Sequence, residues 1–237
     1  GSMAATSMSR AQWAGCIGLD QADRGRSLLR CVRELFGNAL EACSSLPRDE
    51  HQIRVQIREV QPCLYYLCME DDGCGFGEAV WDLQNAVSLE SGVGFKAVLL
   101  WNVVVNLPEE QQGLSIRTTS ALSSDADHLC LRLVSNEFKV AVELDRNPKP
   151  PNSPYGGSRV SAFLPGPGTA EASTLLVDFF QSLSGLCLEA RLRLMCTLPD
   201  GAQIELLVEP TSRLMLLDSS HGALLVARLA LGDACAW

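Results

Sequence analysis

The stretch that most constrains this chain is the apolar run CLYYLCM at 63–69, which passes without a break into Glu70-Asp71-Asp72-Gly73-Cys74-Gly75. A run this short and this apolar, ended by turn residues, predicts a deeply buried strand. Its far end is then a place where a sheet interior delivers carboxylates to a surface. The two glycines let the backbone turn tightly and let a ligand come close. An aspartate emerging there can accept a hydrogen bond from an exocyclic amine; taken alone, the same residues also describe an acidic β-turn.

The residues before this run pair with it naturally. Ile53, Val55 and Ile57 alternate with Arg54, Gln56 and Arg58, which predicts a strand with one buried face. The alternation stops at Glu59, Val60 falls out of phase, and Gln61-Pro62 breaks the strand. Upstream, SLLRCVRELFGNALEAC from Ser27 places Val32, Leu35, Phe36, Ala39 and Leu40 at helical spacing, with Ser27 as its N-cap. Gly37 inside that helix costs about 0.5–1 kcal/mol relative to alanine. Glu34 and Asn38 lie four apart and share a face distinct from the apolar stripe. An asparagine there can ligate Mg²⁺ through its carbonyl oxygen, and a glutamate one turn earlier can take a proton from a water attacking a phosphate. Both are also ordinary residues for a solvated helix.

A third feature is Gly92-Val93-Gly94-Phe95-Lys96, which opens a predicted helix. Glycines before a helix expose backbone N–H groups, and the helix N-terminus favours anions. Between the two glycine stretches a helix is predicted over 78–87. Farther on, strands are predicted at 114–119, 128–134, 138–144 and 158–165, with DRNPKPPNSPYGG as a loop. An amphipathic helix is predicted at 169–186, followed by strands 191–197 and 203–208 around the hairpin turn Pro199-Asp200-Gly201. Helices grouped early and strands late predict an α/β two-layer sandwich. Its sheet should be mixed but mostly antiparallel, with helices on one face.

Composition narrows the functional classes. Of 237 residues, 47% are hydrophobic and 20% charged, enough for a packed core. The net charge of −9 repels a phosphate backbone on average, so broad DNA binding by this domain is not expected. No run reaches the roughly 20 apolar residues of a membrane-spanning helix. The start GSMAATSMSRAQW has no apolar signal core, and Gly1-Ser2 reads as a remnant of tag cleavage. The ten cysteines contain no Cys-x-x-Cys pair, and His51, His128 and His221 are scattered. Both facts speak against a structural zinc site, so the thiols are expected to be small core residues in a reducing compartment.

The three features, in this order, resemble the motif series of the GHKL (Bergerat-fold) ATPases. DRGRSLLRCVRELFGNALEAC is similar to the first-helix region of topoisomerase VI B subunits, MEDDGCGF to their adenine-binding box, and GVGFKAVLLWN to their second glycine box. YGGSRVSAFLPG and LMCTLPDGAQIEL resemble the later strands. The similarity spans about residues 16–210. Residues 1–15 form an N-terminal extension, and 211–237 either end the domain or begin a transducer-like segment.

The resemblance implies ATP and Mg²⁺ as ligands. It makes Glu34 the general base and Asn38 the Mg²⁺ ligand. Asp71 would hold the adenine amine, with Gly73 and Gly75 shaping its pocket. Gly92, Gly94 and Lys96 would lie beside the phosphates. Ser158 would stand where the family has threonine.

The pattern also departs from the family. The segment 76–91 is sixteen residues long, shorter than the family's lid over the phosphates, and it lacks the Ser-Ser-Lys element. A shortened lid excludes water less well, which hydrolysis needs. The resemblance is therefore strongest to the eukaryotic meiotic topoisomerase VI B-like subunit, a nuclear protein. That subunit partners a TOPRIM-containing transesterase to make the DNA double-strand breaks that start homologous recombination. DNA would be met through the complex, and the full-length protein could form a homodimer. The alternatives are an ATP-hydrolysing B subunit of a working type VI topoisomerase, or another GHKL ATPase of the microrchidia or MutL type.

Overall fold

A computed structural model of the chain describes residues 24–75, 98, 107–108, 111–119, 125–134, 139–148, 157–186 and 188–210; between 125 and 148 it describes the backbone only. Helix α1 spans Arg24–Ser44. It is followed by strands β1 (Glu50–Gln61), β2 (Leu64–Asp71), β3 (Leu114–Thr119), β4 (Asp125–Val134), β5 (Lys139–Pro148) and β6 (Gly157–Pro165). Helix α2 (Thr169–Ser182) runs into a single 3₁₀ turn, Leu183–Gly185, and strands β7 (Arg191–Thr197) and β8 (Gln203–Val208) close the described chain.

The eight strands form one sheet in the order β5-β4-β3-β6-β2-β1-β7-β8. Every neighbouring pair is antiparallel except β1–β7, which is parallel. The α/β two-layer sandwich is therefore present, with a mixed, mostly antiparallel sheet. Both described helices lie on one face. α1 packs on β2 and β6, and its Phe36 meets Phe179 and Phe180 of α2 edge-on, at 5.9 and 6.4 Å between ring centroids.

Strand alternation explains this layering. Ile53, Val55 and Ile57 of β1 stand opposite Asp71, Met69 and Leu67 of β2, so all project to the helical side. Leu194 and Cys196 of β7 continue the same rows. They join Leu28, Val32, Leu35 and Phe36 of α1 and Leu176 and Phe180 of α2 in one core. Arg54, Gln56 and Arg58 face the other way and are exposed.

Four local expectations change. Ser27 is not an N-cap: α1 begins at Arg24, and the Ser27 hydroxyl is buried and donates to the carbonyl of Pro165 at 2.8 Å. It ties the helix to the end of β6 instead. β1 continues past Glu59 because a bulge between Glu59 and Gln61 absorbs the lost phase, leaving Val60 exposed. β5 extends through Arg146 and Asn147 to Pro148, residues expected in a loop; pairing with β4 overrides their turn preference. The helix expected over 169–186 divides at Ser182, where the 3₁₀ turn takes over. The boundaries of β7 and β8 are as expected, and Gly201 takes a positive φ of 86° in the hairpin between them. The expected helix at 78–87, the tail 211–237 and, apart from the helical, buried Val98, the helix expected from 94 lie outside the described residues.

Candidate functional site

The end of β2 is positioned from both sides. Gly73 sits so close to α1 that an added Cβ would lie 2.5 Å from the carbonyl carbon of Ala42. The next N–H, of Cys74, donates to the Ala42 carbonyl at 3.0 Å. Glycine at 73 thus lets the turn dock on the last turns of the helix, and Gly75, at φ 70°, completes the reversal. On the other side, a Cβ on Gly157 would lie 2.6 Å from the carbonyl oxygen of Asp71. β6 can approach β2 closely here only because residue 157 has no side chain.

That approach sets a row across three strands. Asp71 of β2 stands opposite Ser158 of β6, which stands opposite Thr118 of β3. The Ser158 and Thr118 hydroxyls lie 3.1 Å apart, and the Thr118 hydroxyl also donates to the Gly157 carbonyl at 3.2 Å. Asp71 Oδ1 accepts the Gly73 N–H at 3.0 Å. Burial pushes the Asp71 carboxyl up from 3.8 to about 7. The N–H groups of Gly73 and Ser158 oppose that rise, and neighbouring Asp72 adds to it.

Beside this row is a cavity of about 290 Å³. One wall is α1, through Leu35, Asn38, Ala39, Glu41, Ala42 and Ser45; the other is Met69, Asp71, Cys74, Gly75, Ser158 and Val160. Apolar side chains on two sides with a few convergent polar groups are what a small organic ligand needs. The volume is at the lower end for ligand pockets and suits a single heterocycle rather than a complete nucleoside triphosphate. A larger depression, about 620 Å³, lies on the opposite face of the sheet over Arg54, Cys68, Glu70 and Met195. Its Glu70 already faces Arg159 at 3.3 Å.

Four of the residues proposed from sequence therefore meet in one cavity: Asn38, Asp71, Gly75 and Ser158. Gly73 acts behind the cavity, as the contact with α1. Glu34 is half-buried one turn before Asn38 and is not among the lining residues. Gly92, Gly94 and Lys96 lie outside the described residues. Sequence reasoning missed Glu41, Ala42 and Ser45. They follow Asn38 at three, four and seven residues, so helical spacing from Asn38 identifies them. Met69 and Val160 were missed as lining residues because their apolar character marks them only as core.

Among the described residues, most cysteines are buried, as expected of small core residues. Cys31, Cys43, Cys68 and Cys196 are buried, while Cys74 borders the cavity and Cys63 is exposed. Burial pushes the Cys196 thiol up to about 12, so it stays protonated and chemically quiet.

No family model matches the chain, and no curated protein does. Among solved structures, the chain is similar to the ATPase domain from the bacterial mismatch repair endonuclease MutL of Aquifex aeolicus. The identity is 11% and the TM-score 0.44, over 82% of this chain and 64% of that one. The match thus spans less than two thirds of that domain's length.

Proposed function

We propose that this chain is a GHKL-type domain whose cavity takes the adenine ring of a nucleotide, within a topoisomerase VI B-like subunit. One observation carries the reading. Asn38, assigned by sequence resemblance to Mg²⁺, and Asp71, Gly75 and Ser158, assigned to the adenine, line a single cavity although far apart in the chain. Ionised Asp71 accepts the exocyclic amine, with its ring edge held between Met69 and Val160 on one side and Leu35 and Ala39 on the other. The Ser158 hydroxyl, braced by Thr118, supports the adenine side.

The Asn38 side chain is exposed at the cavity rim, where its amide oxygen would ligand the Mg²⁺ that accompanies the phosphates. Mg²⁺ bound there neutralises phosphate charge. Glu34, one turn away, would orient and deprotonate a water. Gly92, Gly94 and Lys96 complete the phosphate side in this reading.

The sixteen-residue segment 76–91 supports a domain that binds nucleotide weakly and hydrolyses it poorly by itself. On this reading its contribution is to the assembly of a nuclear complex with a TOPRIM-containing transesterase, which supplies the DNA-cutting chemistry for meiotic double-strand breaks. The acidic surface of the domain suits a protein partner better than DNA.

The test is calorimetric titration of the folded chain with a non-hydrolysable ATP analogue and Mg²⁺, beside Asp71→Asn. Binding that disappears in the variant supports the reading. A folded chain that binds no adenine nucleotide, or a variant that binds equally well, overturns it.

A further inference from the structure

Outside the lining of the cavity, three side chains converge that nothing in the nucleotide reading uses. Cys43 lies in the last turn of α1, His51 near the start of β1, and Asp72 follows β2. Their candidate ligand atoms all lie within 4.8 Å of one another. Asp72 Oδ1 is 3.3 Å from His51 Nδ1 and 3.7 Å from Cys43 Sγ. Cys43 and His51 are buried, with His51 only 5% exposed. We propose that Cys43, His51 and Asp72 form a binding site for a thiophilic divalent cation such as Zn²⁺.

Two of the three spacings match the chemistry, and the third, sulfur to nitrogen, is within 4.8 Å. A tetrahedral Zn²⁺ with bonds of about 2.0 Å to nitrogen and oxygen and about 2.3 Å to sulfur holds N and O about 3.3 Å apart and S and O about 3.5 Å apart. The observed 3.3 and 3.7 Å are close to both. The 3.3 Å separation is long for an ordinary hydrogen bond to a carboxylate. Asp72 Oδ1 also takes the Gln52 N–H at 3.0 Å. The Cys43 thiol and the Gln52 N–H thus both donate to that oxygen, and the His51 ring nitrogen crowds it. A metal relieves that crowding: Gln52 keeps one lone pair, and the cation takes the other along with the imidazole nitrogen and the thiolate.

The second carboxylate oxygen is held separately. Arg48 Nη1 donates to Asp72 Oδ2 at 3.1 Å, which aims Oδ1 inward in the way that outer partners orient metal ligands. Binding converts the Cys43 thiol to thiolate and releases one proton to solvent, with no change of oxidation state. Thiolate and carboxylate together balance the dication, and water fills the fourth position. Because binding displaces the thiol proton, affinity should rise with pH. The bound cation would cross-link the end of α1, the start of β1 and the turn that carries Asp71.

The test uses the whole 237-residue chain, stripped by chelator and titrated with Co²⁺ as a spectroscopic probe, then with Zn²⁺. The expected result is one equivalent of tightly bound Co²⁺. It should show a thiolate-to-cobalt charge-transfer band and tetrahedral visible bands, displaced by Zn²⁺ and lost in Cys43→Ser but not in Cys63→Ser. Cobalt at an oxygen site near Asn38 would show no thiolate band, so this result is independent of the nucleotide reading. Should Cys43→Ser fail to fold, X-ray absorption on the wild-type zinc complex decides: one sulfur with the remaining ligands nitrogen or oxygen supports the site. A folded chain without a thiolate band, a band that survives Cys43→Ser, or a sulfur count other than one overturns it.

Discussion

Asp71 and Asp72 are neighbours in sequence and share one turn, yet their surroundings have little in common. Asp71 faces a cavity walled by Leu35, Ala39, Met69 and Val160, and its described partners are backbone N–H groups. Asp72 faces the junction of α1 and β1, where Arg48, His51 and the Gln52 N–H all reach its carboxylate. Asp71 ends β2, whereas Asp72 lies past it in the turn and reaches Cys43 of α1 and buried His51, so one turn serves two environments. The difference separates two uses of the same side chain. A carboxylate left without a cation in a partly apolar cavity is poised to meet a ligand's donor. A carboxylate surrounded by donors fastens the structure that holds it.

The comparison can be broken most severely at the glycine both sides depend on. Gly73→Ala forces the turn away from Ala42. It is expected to cost about 1–3 kcal/mol in chemical denaturation, as overpacking against backbone does. It should weaken nucleotide and metal binding together. Retention of full stability would mean that the turn does not dock on α1 as described.

Asp72→Ala should come next, at about 1–2 kcal/mol. It removes charge-assisted bonds to Arg48 and leaves buried His51 without this partner, although partial exposure of the carboxylate limits the loss. The adenine cavity should survive that change. Thr118→Val, which deletes the brace beneath Ser158, should cost about 1 kcal/mol and mainly weaken ligand binding.

Asp71→Asn should change stability least near pH 4, where both side chains are neutral, and should gain on the wild type as pH rises toward 7. The folded carboxyl titrates near 7 and the unfolded one near 3.8. Between those values the folded state holds the extra proton, so this group makes stability fall as pH rises through that window. The variant should lack that slope when unfolding is followed from pH 4 to 7. Nucleotide binding by the wild type should run the other way and strengthen as pH passes 7, because the ionised form accepts the amine. An unchanged stability slope in Asp71→Asn would place the raised carboxyl elsewhere.

Much of this was legible locally. The stripe from Val32 to Leu40, the alternation around Val55 and the Pro199-Asp200-Gly201 hairpin each report a repeat of 3.6 or 2 residues, or a turn chemistry, contained in a few neighbours. The boundaries of β7 and β8 followed for that reason. Ser27 misled because a serine before an apolar run looks the same whether its hydroxyl caps a helix or reaches across to Pro165. Asp71 and Asn38 stood out through motif order, whereas Glu41 and Ser45 follow only from helical spacing counted from Asn38. Cys43, His51 and Asp72 carry no spacing signal at all.

By itself, then, the amino-acid order determined the elements and the turn at the end of β2, because backbone periodicity and glycine stereochemistry act over short distances. Only the tertiary structure decided that β6 lies between β2 and β3, that β7 runs parallel to β1, and that Asp71 and Asp72 meet different surroundings. Those outcomes depend on pairing strands distant in sequence so that one face of every strand is buried at once, and no local stretch of chain contains that condition.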